Sequence, residues 1–475
     1  MTACAAPTAP TTAPARGPAH PSIARATPWL LLAVALAGCA SAPQAPVPPM
    51  VDAATEPAPQ PTACPAALAP IARCLAGEDR QGAYYLIAVP QAWNGHLMLH
   101  AHGGPALGAP RPERAVEDLE RWSIAVRAGY AWAGSTFRQG GVEVRAAAED
   151  TERLRRIFVR HVATPQRTLL HGQSWGASVA AKGAEMFTRT ETGQRPYDAV
   201  LLTSGVLAGG TRSYDFRTDL RVVYQHLCGN HPRPTEPAYP LNIGLPATAQ
   251  MTSADLQARV NECLGLDKPA AQRSAEQQRK VQRITDVIRI PASSIQGHMA
   301  WATFHFRDVV QHRTGGASPF GNLGARYTGS GDDEALNAAV LRYRADPAAV
   351  ARFAHDTDPT GRIPVPMLTT KGIDDPIAFV ELDHHFRQTV HAAGNGERLV
   401  QTFTRHSGHS YLSDATYATL FDALLRWVER GDKPTPAGIA AACPAAEARF
   451  GQGCAFVPDY TPAPLESRVA RRERP

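Results

Sequence analysis

From residue 82 onward the chain alternates short apolar runs with longer amphipathic stretches. Residues 83–89, 96–102, 130–137, 167–171 and 199–203 read as strands, being short, apolar and rich in β-formers. Between them, apolar residues recur about every 3.6 positions over 114–128 and 146–162, and 174–188 reads as a further helix. Strands alternating with helices predict an α/β fold, a mostly parallel sheet flanked by helices. After Ser204-Gly205 the pattern breaks. Residues 208–362 carry Pro232, Pro234, Pro237 and Pro240 and helical stretches at 254–264 and 333–343, with no clear β alternation. The core pattern then resumes: strand 364–371, helix 380–392, strand 398–404, helix 413–429. An insertion of this size between core strands predicts a large helical cap. The expected organisation is therefore an N-terminal segment 1–39, a Pro-rich tether with a Cys pair over 40–79, core over 80–207, cap over 208–362, core over 363–432, and a tail with a second Cys pair over 433–475.

The first 28 residues are rich in Ala, Pro and Thr and carry Arg16 and Arg25. The apolar run that follows, 29–37, is too short to span a bilayer, which takes about 20 residues, but has the length of an export-signal apolar region. It ends in Leu36-Ala37-Gly38-Cys39, which resembles the lipobox of bacterial lipoproteins. That resemblance implies lipidation of Cys39, and Ala40 after it implies the outer membrane. Simple cleavage after Ala40-Ser41-Ala42, giving a periplasmic or secreted protein, is the alternative. Pro43 to Pro65 would then form an extended tether.

Eight cysteines fit export. Cys4 lies in the leader and Cys39 is the lipidation candidate. The remaining Cys64, Cys74, Cys228, Cys263, Cys443 and Cys454 form an even set, which in an oxidising compartment suggests disulfides. Nearest-neighbour pairing gives 64–74, 228–263 and 443–454, with free buried thiols as the alternative. None stands in a Cys-x-x-Cys pair, which argues against zinc. The net charge of +5 is too small to suggest a nucleic-acid partner. Part of it, Arg468, Arg471, Arg472 and Arg474, reads as a solvated, disordered tail.

The strongest chemical motif is Gly172-Gln173-Ser174-Trp175-Gly176, placed between an apolar strand and a helix. Such a turn is too tight for side chains at the flanking positions and lifts the serine hydroxyl above the sheet. Ser174 is the candidate nucleophile, and the Trp175 N–H a candidate oxyanion donor. His102-Gly103-Gly104-Pro105 follows strand 96–102, and Gly103 or Gly104 should give the second donor. His100-x-His102 has metal-ligand spacing, but the Asp-His that extends it in metallo-hydrolases is missing. A serine nucleophile needs a histidine base oriented by a carboxylate, in the chain order Ser, acid, His. Strand 364–371 leads to Gly372-Ile373-Asp374-Asp375-Pro376, where Asp375 is preferred and Asp374 is the alternative. Strand 398–404 leads to Arg405-His406-Ser407-Gly408-His409, where His409 is preferred over His406.

These motifs resemble the α/β-hydrolase superfamily over most of residues 80–430. His102-Gly103-Gly104-Pro105 with Ser174-Trp175-Gly176 is locally similar to the proline-iminopeptidase-like group. Ala106 stands where that group has Gly, and Ser135-Thr136-Phe137-Arg138-Gln139-Gly140 where it has Asp-Gln-Arg-Gly. The resemblance implies a serine hydrolase that cleaves a carboxylic ester, or an amide, through an acyl-enzyme, with no cofactor or metal. One rival is an aminopeptidase, which would need a cap carboxylate for the substrate amine; Glu236, Glu262 and Glu334 are available. The other is a non-catalytic binding protein on the same scaffold. The expected partner is a small ester or amide, and the expected membrane contact is only through the lipid anchor.

Overall fold

A computed structural model describes residues 55–475; the leader, Cys39 and the first part of the tether lie outside the described residues. Within these, nine strands make one sheet: β1 (Gln60–Thr62), β2 (Ala72–Glu78), β3 (Tyr84–Pro90), β4 (His96–Ala101), β5 (Ala131–Ser135), β6 (Arg167–Gln173), β7 (Ala199–Thr203), β8 (Met367–Gly372) and β9 (Leu399–Thr404). Their spatial order is β1-β2-β3-β5-β4-β6-β7-β8-β9. The first three are joined antiparallel, and β3 pairs antiparallel with β5. From β5 to β9 every pairing is parallel. This sheet, with helices on both faces, is the α/β-hydrolase fold.

The two faces follow from the two-residue period of strands. Met98, Leu169, Leu201 and Leu368 pack under Glu113–Arg121, Ser123–Arg127, Asp414–Arg430 and Pro436–Phe450. Their neighbours Leu97, Leu99, Leu170, Val200, Leu202 and Met367 point the other way, onto Val144–His161, Trp175–Met186 and Glu381–Ala392. The central strands β4 to β8 are thus buried almost throughout because both faces are covered.

Several boundaries differ from expectation. The stretch 114–128 forms two short helices broken at Trp122. Strand 364–371 starts at Met367, since Pro364 and Pro366 have no N–H to donate. The helix expected over 333–343 ends at Ala339. The end of the extended tether expected over Pro43 to Pro65 is instead strand β1 at Gln60–Thr62, which pairs with β2 at the edge of the sheet. The tail prediction for 433–475 also fails. Pro436–Phe450 is a helix whose Ile439, Cys443 and Ala446 are buried. Leu465 and Val469 enter the cap core, and Arg472 binds Asp219 at 2.7 Å. Of the four arginines, Arg471 and Arg474 are exposed, although Arg474 pairs with Asp215, and half-buried Arg468 pairs with Glu381.

The cap, without strands among the described residues, has its own core. Phe216, Leu220 and Val223 of helix Asp215–Cys228 meet Leu256 and Val260 of Ser253–Leu264, Ile284 of Ala275–Ile288, and Met299 and Phe306 of a long helical segment over 295–313. The disulfides are Cys64–Cys74, Cys228–Cys263 and Cys443–Cys454. They join β1's flank to β2, two cap helices, and the C-terminal helix to the segment after it. Their presence is consistent with an extracellular or periplasmic protein. Among the described residues no helix is long and apolar enough to cross a membrane.

Candidate active site

Strand β6 ends at Gln173 and the next helix begins at Trp175, so Ser174 alone makes the turn. It does so with φ 57° and ψ −121°, a conformation rare for any side chain but glycine. The strain is held by the surroundings. Ser174 N–H donates to the Thr203 carbonyl at 2.9 Å, and the Ser174 carbonyl accepts from Val206 at 3.1 Å. A side chain on Gly172 would collide with the Gly176 carbonyl, and one on Gly176 with the Ala101 carbonyl. The two flanking glycines are therefore required by the closeness of helix and strands.

Ser174 Oγ lies 2.7 Å from His409 Nε2. His409 Nδ1 lies 2.8 Å from Asp375 Oδ2 and 3.0 Å from Oδ1. Asp375 is buried, and its Oδ1 also accepts from the N–H groups of Ile377 and Ala378, both at 2.9 Å. These bonds leave the carboxylate one orientation. Asp374, the alternative acid, is exposed, and His406, the alternative base, pairs with the backbone of Gly453. The structure thus brings Ser174, Asp375 and His409 together at the carboxyl ends of β6, β8 and β9.

Supporting groups had no sequence signal of their own. Gln173 donates from Nε2 to the His409 carbonyl at 3.2 Å. Lys371 and Asp383 form a fully buried ion pair. Lys371 Nζ also donates to the Gly205 carbonyl at 2.7 Å and to that of Phe379 at 3.3 Å. It thereby ties the end of β8 to the segment after β7 and to the loop that follows Asp375.

The loop after β4 runs against Ser174. Gly103 passes so near that a side chain there would press on Gln173 and Ser174 Cβ. The Gly103 carbonyl accepts from Arg114 Nη2 at 2.8 Å and lies 3.0 Å from His102 Nδ1. Across the same planar trans peptide, the Gly104 N–H points the opposite way. Gly104 itself has φ 72°. Trp175 is the first residue of its helix, so its N–H has no acceptor within that helix. Phe137, in the segment that differs from the iminopeptidase pattern, stacks on His102 at 4.3 Å and meets Trp175 edge-on at 5.8 Å. His100 is buried, with Nδ1 2.9 Å from Nδ1 of His171, and burial lowers the pKa of both rings, that of His171 to about 3. The spacing His100-x-His102 thus places His100 in the sheet core and His102 under the glycine loop.

Two cap histidines clasp the site. His298 Nε2 bonds the Pro376 carbonyl at 3.0 Å, directly after Asp375. His305 Nε2 bonds the Pro105 carbonyl at 2.9 Å, directly after Gly104. Burial lowers their pKa values to about 3 and about 4, so both are neutral and donate through Nε2–H at physiological pH. Of the cap carboxylates, Glu236 is held by Arg259 and Glu262 by Arg233, while Glu334 lies exposed in the first turn of helix Asp333–Ala339.

No protein-family model and no curated protein sequence matches the chain. Among solved structures it is similar to an esterase from Aspergillus oryzae at 12% identity, with 76% of this chain and 81% of that one covered and a TM-score of 0.38. It is similar to feruloyl esterase B from Aspergillus oryzae at 13% identity, with 76% and 82% covered and a TM-score of 0.40. A ligand-bound form of the rice cell wall degrading esterase LipA from Xanthomonas oryzae matches at 14% identity, with 74% and 89% covered and a TM-score of 0.38.

Proposed function

We propose that this protein is a serine hydrolase that cleaves a carboxylic ester through an acyl-enzyme. The observation that carries the reading is the unbroken chain Asp375–His409–Ser174, with links of 2.8 and 2.7 Å, at the carboxyl edge of a parallel sheet. Ser174 Oγ attacks the ester carbonyl and passes its proton to His409 Nε2. Asp375 holds the imidazole by Nδ1–H and stabilises its charged form. The N–H groups of Trp175 and Gly104 face the oxyanion; Gly103 serves by bending the loop. His409 then protonates the leaving alcohol, and water, deprotonated by the same histidine, releases the acid.

The oriented carboxylate and the strained serine support catalysis over mere binding. An aminopeptidase would need an unpaired acid for the substrate amine, and Glu236 and Glu262 are already neutralised by arginines. The test is labelling with a fluorophosphonate, followed by a screen of p-nitrophenyl esters beside aminoacyl naphthylamides. Labelling at Ser174 with turnover of the esters is the expected result. Labelling that persists in Ser174→Ala, or turnover of naphthylamides alone, overturns it. For localisation, we propose export with lipidation at Cys39; radiolabelled fatty acid that enters the wild type and not Cys39→Ser tests it.

A further inference from the structure

Helix Asp215–Cys228 buries three cations or anions near its start, and they divide by face. Asp215 and Asp219, one turn apart, are neutralised by Arg472 and Arg474 of the C-terminal segment. Arg217 lies between them in sequence and points elsewhere. It is 5% exposed, yet no carboxylate pairs with it among the described residues. Its Nε is sealed without an acceptor. Other buried arginines differ: Arg153 is paired with Asp79 and Asp150, Arg155 with Glu152, and Arg221 donates to the His231 carbonyl at 2.9 Å. What holds Arg217 is aromatic. The guanidinium carbon lies 4.6 Å from the Trp301 ring centre, 4.7 Å from that of Phe216 and 5.1 Å from that of Tyr214.

Its position is set by the clasp over the active site. Trp301 lies between His298 and His305 on segment 295–313, one turn from each. His298 is tied to Pro376, beside Asp375, and His305 to Pro105, beside Gly104. Phe216, the neighbour of Arg217, packs edge-on against the His298 ring at 4.8 Å. Arg217 is therefore held, through Trp301 and Phe216, against the segment that ties the acid loop to the oxyanion loop. Burial pulls its pKa down to about 10, which still leaves it charged at neutral pH. A buried cation without a counterion is costly, and the aromatic faces offset only part of that cost. A planar fork stacked on rings matches a carboxylate, which it can grip through two parallel N–H donors.

We propose that Arg217 anchors a free carboxylate on the substrate, so that the enzyme acts on acidic esters, of which a half-ester of a dicarboxylic acid is the simplest. This rests on the serine-hydrolase reading and names its substrate class. The carboxylate displaces solvent from the guanidinium while the ester carbonyl reaches Ser174.

The experiment compares each acid with its methyl-capped, neutral form: mono-p-nitrophenyl adipate for a carboxylate on the acyl side, and 4-acetoxybenzoate for one on the alcohol side. Wild type, Arg217→Lys and Arg217→Met are assayed, each beside fluorophosphonate labelling of Ser174. The expected result is at least a tenfold preference in kcat/KM for the acid in one pair, expressed mainly in KM. Arg217→Met should remove that preference and Arg217→Lys keep part of it. Adipate should also inhibit the wild type competitively, and dimethyl adipate should not, a measurement that needs no variant to fold. Equal rates on acid and capped ester, in wild type that labels normally at Ser174, overturn the proposal and leave the hydrolase reading standing. Wild type that does not label overturns both.

Discussion

His305 donates to the carbonyl of Pro105 at 2.9 Å, and so fastens the cap to the glycine loop beside Ser174. Gly104 precedes Pro105 immediately, so the cap takes part in placing the N–H proposed as an oxyanion donor. A displacement of about 1 Å at a reacting centre can cost a hundredfold in rate. His305→Ala should therefore lower kcat about ten- to a hundredfold, with a small change in melting temperature. Slower fluorophosphonate labelling would accompany it, because the probe uses the same donors. A variant with wild-type kcat would show that the loop holds its shape without the cap.

The three residues at the sheet edge should behave as one unit. Asp375→Asn and His409→Ala should each reduce kcat by about 10³–10⁴-fold or more. Combined, they should cost far less than the product of the two effects. Asp374→Asn, which alters an exposed side chain, should change kcat less than threefold. Steady-state kinetics on one p-nitrophenyl ester measure all four variants. Multiplicative losses in the double variant would contradict a shared role.

The Cys228–Cys263 bridge closes a loop of 35 residues within the cap, and Cys64–Cys74 one of 10. On the chain-entropy model these closures stabilise by about 4 and about 3 kcal/mol. Cys228→Ala with Cys263→Ala should therefore lower the melting temperature by several degrees. Because the bridge joins helices Asp215–Cys228 and Ser253–Leu264, the first of which carries Arg217, KM should rise more than kcat falls. Calorimetry beside kinetics separates the two effects.

The parallel core was legible where strands buried on both faces read as short apolar runs. Leu169-Leu170 and Ala199 to Thr203 are such runs. Ser174, Asp375 and His409 could be singled out because each follows a strand and sits in a glycine-bearing turn. Gln173, Lys371, His298, His305 and Arg217 could not. Each acts through contacts that no local spacing encodes, and a buried unpaired Arg is written with the same letter as a solvated one. The burial of the tail is hidden in the sequence for the same reason: Arg472 is buried only because Asp215 and Asp219, more than 250 residues earlier, receive it.

Burial lowers the His298 pKa from 6.5 to about 3. Between those values the unfolded chain binds a proton that the folded protein does not. The His298 contribution to stability is therefore present above pH 6.5 and is lost as pH falls toward about 3. In His298→Gln that contribution is absent at every pH. Asp219 and Asp383, whose pKa values burial raises, titrate in both proteins and cancel in the difference. The stability difference between wild type and variant should shrink on going from pH 7 to pH 4.5, with a slope of about one proton. Denaturant unfolding at four or five pH values measures it, and a difference that does not vary with pH would mean that His298 is already charged.

Arg472 binds Asp219 at 2.7 Å and Asp215 at 3.5 Å, and its Nη1 donates to the Gly321 carbonyl at 2.9 Å. All three side chains are nearly sealed from solvent, so the two carboxylates depend on this one cation and on Arg474. Removing one partner of a buried ionic cluster leaves uncompensated charge and costs about 3–5 kcal/mol. Arg472→Ala should therefore be strongly destabilising, although only three residues follow it in the sequence. Arg472→Met with Asp219→Asn should recover much of the loss, since it removes both charges and keeps the volume. The helix that bears these aspartates also presents Arg217 from its other side, so a loosened helix start should raise KM for an acidic ester before unfolding is complete. Thermal unfolding of the single and double variants, with kinetics at a temperature where both remain folded, measures the two effects together. A single variant that melts like the wild type would show that Arg474 alone holds the helix, and that the C-terminal segment matters less to the cap than its burial implies.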